Sequence, residues 1–458
     1  MSEERSMKPK TVYILGAGAS KTANLPMQTE ILPLVFSLDN ANVNMNGLLE
    51  GDFLSLTLNE RIQRLKESYQ TFDEYRQDLG GFILNSFAPG EKARRYSAAI
   101  YEVRKLQGLS QELEKKKKEK LFEAYDMVKN INVTLEDLFT IFDNVAANRE
   151  HFRLYSPKAM GDIHRKLKMC IIYALSCAIS MDCNPQVYNK FSEYLLAERA
   201  NSRFKEDSVS LITMNWDDLL ESALYEVCLR YNSEMKNKKK CIYPDLCFYD
   251  YSVEKDDKHI PSINIKAKGH KNIKVLKMHG SLAWLECPRC GRMYVDFTNE
   301  IAADEFIERI CPYCQEGTLL GGAPVLRSLI ITPTFMKSLD NLNVKNIWHN
   351  AFIEVNEASH IVFIGYSCPD ADFEMRCLLK KAIRDDVKVT VVLHSSDNPE
   401  FYLNEFMSKG YDGEEAKRLA QKMLLPEERY KTFFGEDKVS FVYEGFEKYV
   451  DRLGGVTE

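Results

Sequence analysis

Long hydrophobic runs are missing from this 458-residue chain. A membrane-crossing helix needs about 20 consecutive, mostly apolar residues. The apolar stretch at 11–15 (TVYIL) is short and runs directly into glycine, and the polar opening MSEERSMKPK lacks the apolar core of a secretory signal. An excess of one charge is missing too. The 61 Lys and Arg stand against 67 Asp and Glu, a formal net charge of −6, so there is no overall attraction to nucleic acid or anionic membranes. The one basic run, at 115–118, has glutamates on both sides, as on a solvated helix face. Internal repeats and low-complexity segments are absent, which excludes solenoids and compositionally biased chains. A cysteine framework is lacking as well: most of the twelve cysteines are scattered, as at Cys170, Cys177, Cys228 and Cys368. That excludes a disulfide scaffold and predicts a reducing, cytoplasmic setting with one patterned metal site.

What is present suits a folded protein of two or three domains, at about 150 residues each. Hydrophobic residues make up 45% and charged residues 28%, as in ordinary globular chains. Short β-rich runs occur at 11–15, 208–213, 274–278, 328–331, 360–364, 387–393 and 439–443, several of them followed by helical patterns. Such alternation predicts an α/β, Rossmann-like, mainly parallel sheet with helices on both faces. A helix is expected from Met27, with Pro33 kinking or ending it. Between 39 and 204 strand-like runs vanish. There Leu135, Leu138, Phe139 and Phe142 recur at helical spacing, as do Ile163, Leu167, Ile171 and Ala174. The expected organisation is therefore an α/β domain from 11–38 and 205–458, a large helical insert at 39–204, and a small metal module at 281–320.

Five motifs carry chemistry. GAGAS at 16–20 follows a strand, and its glycines allow close approach of the backbone to a pyrophosphate. The third glycine of the dinucleotide fingerprint is missing, so a structural turn fits as well. TMNWD at 213–217 sits at another strand end. Its Asn215 and Asp217 suit either a helix cap or a polar pair at the ligand-binding edge of a sheet. His279-Gly280 ends a third strand; a lone histidine is often structural, yet imidazole has the near-neutral pKa of a general base. Cys287-x2-Cys290 and Cys311-x2-Cys314 supply four thiolates to a tetrahedral ion, with zinc favoured over iron. Filled entirely by protein, such a site is structural. Finally, IGYS at 364–367 leads to Pro369, Asp370 and Asp372 at a helix start, where capping and the helix dipole account for the acids.

In this order and spacing the set resembles the sirtuins, which break the nicotinamide–ribose bond of NAD. The resemblance covers about 11–38 and 205–395. It implies that Asn215 and Asp217 lie beside the nicotinamide ribose and that His279 is the general base on the ribose hydroxyls. It also implies that Gly16, Ala17, Gly18, Ser20, Gly365 and Ser367 hold the cofactor, with a structural Zn2+ on the four cysteines. IITPT at 330–334 and GYSCPDADFEMRCLLKKAI at 365–383 look closer to a bacterial sirtuin-like branch found in antiphage defence. Two departures matter. Where protein-deacylating sirtuins carry Gly-Ile-Pro-Asp-Phe-Arg, this chain reads KTANLPMQ; and HSSDN at 394–398 stands where the family offers an Asn to the adenosine, leaving Ser395 or Asn398 to substitute and His394 to stack. The resemblance thus implies an NAD hydrolase releasing nicotinamide and ADP-ribose, an NAD-depleting antiphage effector. The alternatives are an NAD-dependent protein deacylase and a non-catalytic NAD or ADP-ribose sensor. Control by a homo-oligomer or a regulatory partner is expected, with no membrane or nucleic-acid role.

Overall fold

The structure, a computed structural model, describes residues 9–38, 58–106, 111–203, 207–235, 240–248, 271–295, 309–316, 322, 324–334, 341–394, 403–404, 407–408, 410–423 and 425–454. Ten strands occur among them: β1 (Thr11–Leu15), β2 (Val209–Thr213), β3 (Ile242–Asp245), β4 (Lys271–Lys277), β5 (Gly280–Glu286), β6 (Met293–Val295), β7 (Arg327–Ile330), β8 (His360–Ile364), β9 (Lys388–Val392) and β10 (Val439–Val442). The first helices are α1 (Ala17–Lys21), α2 (Gln28–Val35), α3 (Leu58–Phe87), α4 (Glu91–Lys105), α5 (Gln111–Lys129), α6 (Leu135–Asn148), α7 (Pro157–Asp182), α8 (Gln186–Asn201) and α9 (Leu219–Glu234). They are followed by α10 (Pro312–Glu316), α11 (Leu342–Glu357), α12 (Phe373–Ala382), α13 (Gly413–Met423), α14 (Leu425–Phe434) and α15 (Gly445–Gly454).

The chain divides into two compact units. The first takes Met1–Asn24, Asn184–Thr298 and Leu339–Glu458; the second takes Leu25–Cys183 and Asn299–Ser338. The first unit holds a seven-stranded sheet in the order β10-β9-β8-β1-β2-β4-β3. Every pairing in it is parallel. Its central strands are buried almost throughout, as β2 is at every residue, which is why they read as unbroken apolar runs instead of alternating ones. Strand succession goes from β1 to β2 in one direction and from β8 to β9 in the other. By the right-handed rule for parallel crossovers, this reversal leads to helices on both faces. Near the amino ends of the central strands a buried ionic cluster holds the layers: Lys10 lies 2.5 Å from Glu354 and 3.1 Å from Asp207, and Lys274 lies 3.2 Å from Asp207.

The second unit contains α2 to α7. The two stripes seen in the sequence are its core: Leu135, Leu138, Phe139 and Phe142 on α6, and Ile163, Leu167, Ile171 and Ala174 on α7, are all buried. Thr134 and Asp137 close a capping box at the start of α6. Arg76 is buried against Asp73 at 2.7 Å, with its guanidinium 4.3 Å over the Tyr125 ring. The 115–118 lysines lie on α5 and are mainly exposed. Pro33 sits inside α2 without ending it.

Helix α8 falls inside the segment expected for the insert, but it packs within the sheet-bearing unit on α9 and α15. The reason is aromatic: Phe191 meets Tyr13 of β1 edge-on at 5.1 Å and Phe446 of α15 at 5.4 Å. No single helix among the described residues is long and apolar enough to cross a membrane.

Candidate active site at the carboxyl edge of the sheet

In an open parallel sheet, ligands gather outside the carboxyl ends of the strands, where the strand order reverses. Here the register sets Ile364, Leu15, Thr213 and Lys277 in one row across β8, β1, β2 and β4. The next residues in the chain are Gly365, Gly16, Met214 and Met278. GAGAS, TMNWD, His279-Gly280 and GYS, separated by up to about 350 positions in sequence, therefore leave the sheet side by side.

The glycine loop meets the β8 loop backbone to backbone. Gly16 N donates to Ile364 O (3.0 Å) and Gly18 N to Gly365 O (2.8 Å). Gly365 adopts φ +61, and a Cβ there would stand 2.1 Å from Ala19 N; one on Gly16 would stand 2.6 Å from the Tyr366 Cα. Only glycine permits this approach. Ala17 begins the five-residue α1, and Ser367 is half-buried just beyond Gly365.

Ser20, expected at the cofactor phosphates, has its hydroxyl engaged inside the protein. It donates to Asp217 Oδ2 (2.8 Å) and accepts from Asn215 Nδ2 (2.8 Å); the Tyr188 hydroxyl, 2.9 Å away, then donates to it. One donor and two acceptor positions are all a hydroxyl offers. Asn215 Nδ2 also donates to Gly16 O (3.0 Å), so both amide hydrogens are spent on fixing the side chain. Its other end, Oδ1, is buried and has no hydrogen-bond partner among the described residues. Leaving a buried acceptor unpaired costs on the order of 1–3 kcal/mol, a cost that a ligand hydroxyl would remove.

Behind this turn lies a charged core that the motifs did not reveal. Lys277 is wholly buried, with its ammonium 2.7 Å from Glu221 and donating to Asp217 O at 2.5 Å. Ser281 Oγ donates to Glu221 Oε1 (3.1 Å). Burial, and then the Glu221 charge, push the Asp218 carboxyl up to about 7; burial raises Glu221 as well, against the pull of Lys277. Burial, followed by the Asp217 charge, raises the Tyr188 hydroxyl.

His279 is 5% exposed, and Gly280 after it takes φ +77 as the chain turns into β5. The imidazole Nε2 stands 3.4 Å from Asp372 Oδ1, and the Tyr366 hydroxyl donates to Asp372 Oδ2 (3.1 Å). Asp372 is thus a site neighbour that sequence reasoning assigned to helix capping. Asp370, by contrast, is exposed and pairs with Arg376. Ser395 and Asn398 lie outside the described residues. His394 ends the described part of its loop, with its ring 3.8 Å from where a Gly445 Cβ would stand.

The four patterned cysteines form the one metal-competent group found among the described residues. The ligand atoms of Cys287, Cys290, Cys311 and Cys314 lie within 4.8 Å of one another, and three of the four residues are buried. Zinc–thiolate bonds of about 2.3 Å in a tetrahedron set sulfurs about 3.8 Å apart, so the set fits Zn2+. At the first pair, Cys290 N points to Cys287 Sγ (3.5 Å), Gly291 N donates to Cys287 O (3.0 Å), and Gly291 takes φ +69. This knuckle turns the chain so that both sulfurs face one point. No disulfide forms among the described cysteines.

No family model matches the chain, and no curated protein does. Among solved structures, a sirtuin examined for substrate affinity is 12% identical, with 98% of this chain and 93% of that one covered and a TM-score of 0.33. A Sir2 complex with p53 peptide and NAD+ is also 12% identical, with 98% and 94% covered and a TM-score of 0.34. A mutant Sir2 homologue with ADP-ribose is 14% identical, with 92% and 96% covered and a TM-score of 0.29. Likenesses at this distance define neither family nor activity.

Proposed function

We propose that the protein hydrolyses the nicotinamide–ribosyl bond of NAD. The supporting observation is Asn215: both amide hydrogens are tied to Gly16 and Ser20, while Oδ1 is buried at the ligand-binding edge with no partner among the described residues. A ribose hydroxyl is the donor such an acceptor suits. Gly16, Ala17, Gly18, Gly365 and Ser367 line the edge where the pyrophosphate would lie, and Ser20 acts through Asn215 and Asp217. As the C1′–N bond breaks, its electron pair leaves with nicotinamide and positive charge builds on the ribose. Fixed dipoles and the Asp217 carboxylate oppose that charge without reorganising. Water adds at C1′, and its proton passes to His279, directly or through a ribose hydroxyl, before reaching solvent. Water is favoured as acceptor because KTANLPMQ replaces the Phe-Arg lid segment of peptide-deacylating sirtuins.

In this reading the four cysteines carry a structural Zn2+ and play no part in the chemistry. The motifs at 330–334 and 365–383 favour use as a cytoplasmic, NAD-depleting antiphage effector, held inactive by self-association or a partner until triggered. The test is nicotinamide release from NAD by the full chain, with and without an acetylated peptide, beside His279→Ala. Release without peptide that disappears in His279→Ala supports the hydrolase. Release only with peptide would replace it with a deacylase, and tight NAD binding with no release in any condition would replace it with a sensor.

A further inference from the structure

Asp372 stands at the N-cap of α12, yet its side chain makes no capping bond. Its two oxygens are used elsewhere: Oδ2 accepts from the Tyr366 hydroxyl (3.1 Å), and Oδ1 stands 3.4 Å from His279 Nε2. Both the imidazole and the carboxylate have side chains 7% exposed. A carboxylate this far from water is costly unless hydrogen-bonded or paired with a cation. Tyr366 meets part of that need, and a protonated imidazole would add to it. Tyr366 is itself braced, since the Tyr430 hydroxyl of α14 donates to its carbonyl (2.8 Å) and Phe363 packs between the two rings at 6.2 and 5.0 Å.

We propose that Asp372 is the positioning residue for His279. Its carboxylate, held by Tyr366 and through it by α14, fixes the imidazole with its proton on Nε2 and stabilises the imidazolium formed during turnover. The neutral ring then takes the reaction's proton on Nδ1, while the Nε2 proton stays facing Asp372, so no proton passes to the carboxylate. The 3.4 Å separation closes to a full hydrogen bond when substrate orders the loops, as unliganded contacts of this kind commonly do. This chain of contacts gives α14 and Tyr430, far along the sequence from any motif, a role in aligning the base. The role rests on the hydrolase reading.

The test uses the full chain labelled with 15N-histidine, the His279 signals being assigned by their loss in His279→Gln. Wild type should show the tautomer protonated on Nε2. Asp372→Asn, whose amide can donate as well as accept, should lose that preference. In nicotinamide release, Asp372→Asn should lower kcat by about 10²- to 10⁴-fold, the scale of a misoriented general base, with KM for NAD changed less than about two-fold. Tyr366→Phe keeps the carboxylate and removes only its brace, and should lower kcat by about three- to ten-fold and weaken the Nε2 preference of the His279 ring. It also guards against an Asp372→Asn chain that does not fold. An unchanged His279 tautomer in Asp372→Asn, or in Tyr366→Phe should the first variant not fold, together with an unchanged kcat, overturns the positioning role while leaving the hydrolase reading intact. A tautomer that responds to Asp372→Asn in a wild-type chain releasing no nicotinamide supports the pairing and removes the hydrolase.

Discussion

At the scale of single residues, the candidate site holds a buried acceptor, Asn215 Oδ1, that has no hydrogen-bond partner among the described residues. Asn215→Ala removes that acceptor along with the donor to Ser20 and Gly16. Turnover is expected to fall by about 10²- to 10³-fold, the scale of a lost transition-state hydrogen bond. The stability loss should be about 1–3 kcal/mol, for the partners left behind. Normal nicotinamide release by a folded Asn215→Ala chain would sink the assignment. Asp218 supplies an independent prediction. Its folded carboxyl is raised from 3.8 to about 7, so between those values the folded chain holds a proton that the unfolded chain has released. Its contribution to stability is therefore greatest at the acid end, is lost as pH rises through that window, and is level above it. Melting curves of wild type and Asp218→Asn from pH 5 to 8 should show wild type losing ground as pH rises, and a constant difference would refute the raised carboxyl.

At the scale of elements, strands β1, β2, β8 and β9 were legible in sequence because burial on both faces of a parallel sheet demands near-continuous apolar, β-branched residues, while the half-exposed β4 and β10 showed only as short β-rich runs. Strand β3 was not: IYPD is four residues long and contains Pro244, a composition at home only at a sheet edge, which is where β3 lies. The β5–β6 hairpin was also missed, since its residues GSLAWLE and MYV are nearly all buried and show no alternation to read. Helices α6 and α7 were plain from their spacing. Helix α8 has the same kind of sequence but belongs to the sheet, and only contacts such as Phe191–Tyr13 distinguish it. The glycine pair at the β1 and β8 ends lends itself to a direct check. Gly365→Ala forces a Cβ to 2.1 Å from Ala19 N at a backbone angle that L-residues avoid, so soluble yield and melting temperature should drop sharply. A well-folded Gly365→Ala chain would mean that the two loops can separate at little cost.

At the scale of the whole molecule, the chain divides into two units that change over at 24/25, 183/184, 298/299 and 338/339, an interleaving that no local pattern gives. The metal centre behaves differently, since its four cysteines declare themselves by spacing alone. Cys287→Ser or Cys311→Ser should lower the melting temperature and solubility, and chelation of the purified protein should do the same, because metal affinity at such a site is folding free energy. Plasma emission spectrometry should find about one zinc per chain, as expected for a four-thiolate site. An unchanged melting curve in both variants would remove the structural metal.

By itself the sequence determined the sheet's central strands, the helical stripes, the cysteine spacing and the strand-end loops that make up the candidate site. These depend on periodicity, on glycine's conformational freedom and on fixed ligand intervals, all of which are local. Only the tertiary structure decided that Ser20 turns inward to Asn215 and Asp217, that Lys277 is buried against Glu221, and that Asp372 leaves its helix cap to face His279. Each of these joins residues between 56 and 197 positions apart. Their partners are set by strand order and register, which bring distant loops to one edge of the sheet, and no local pattern records that.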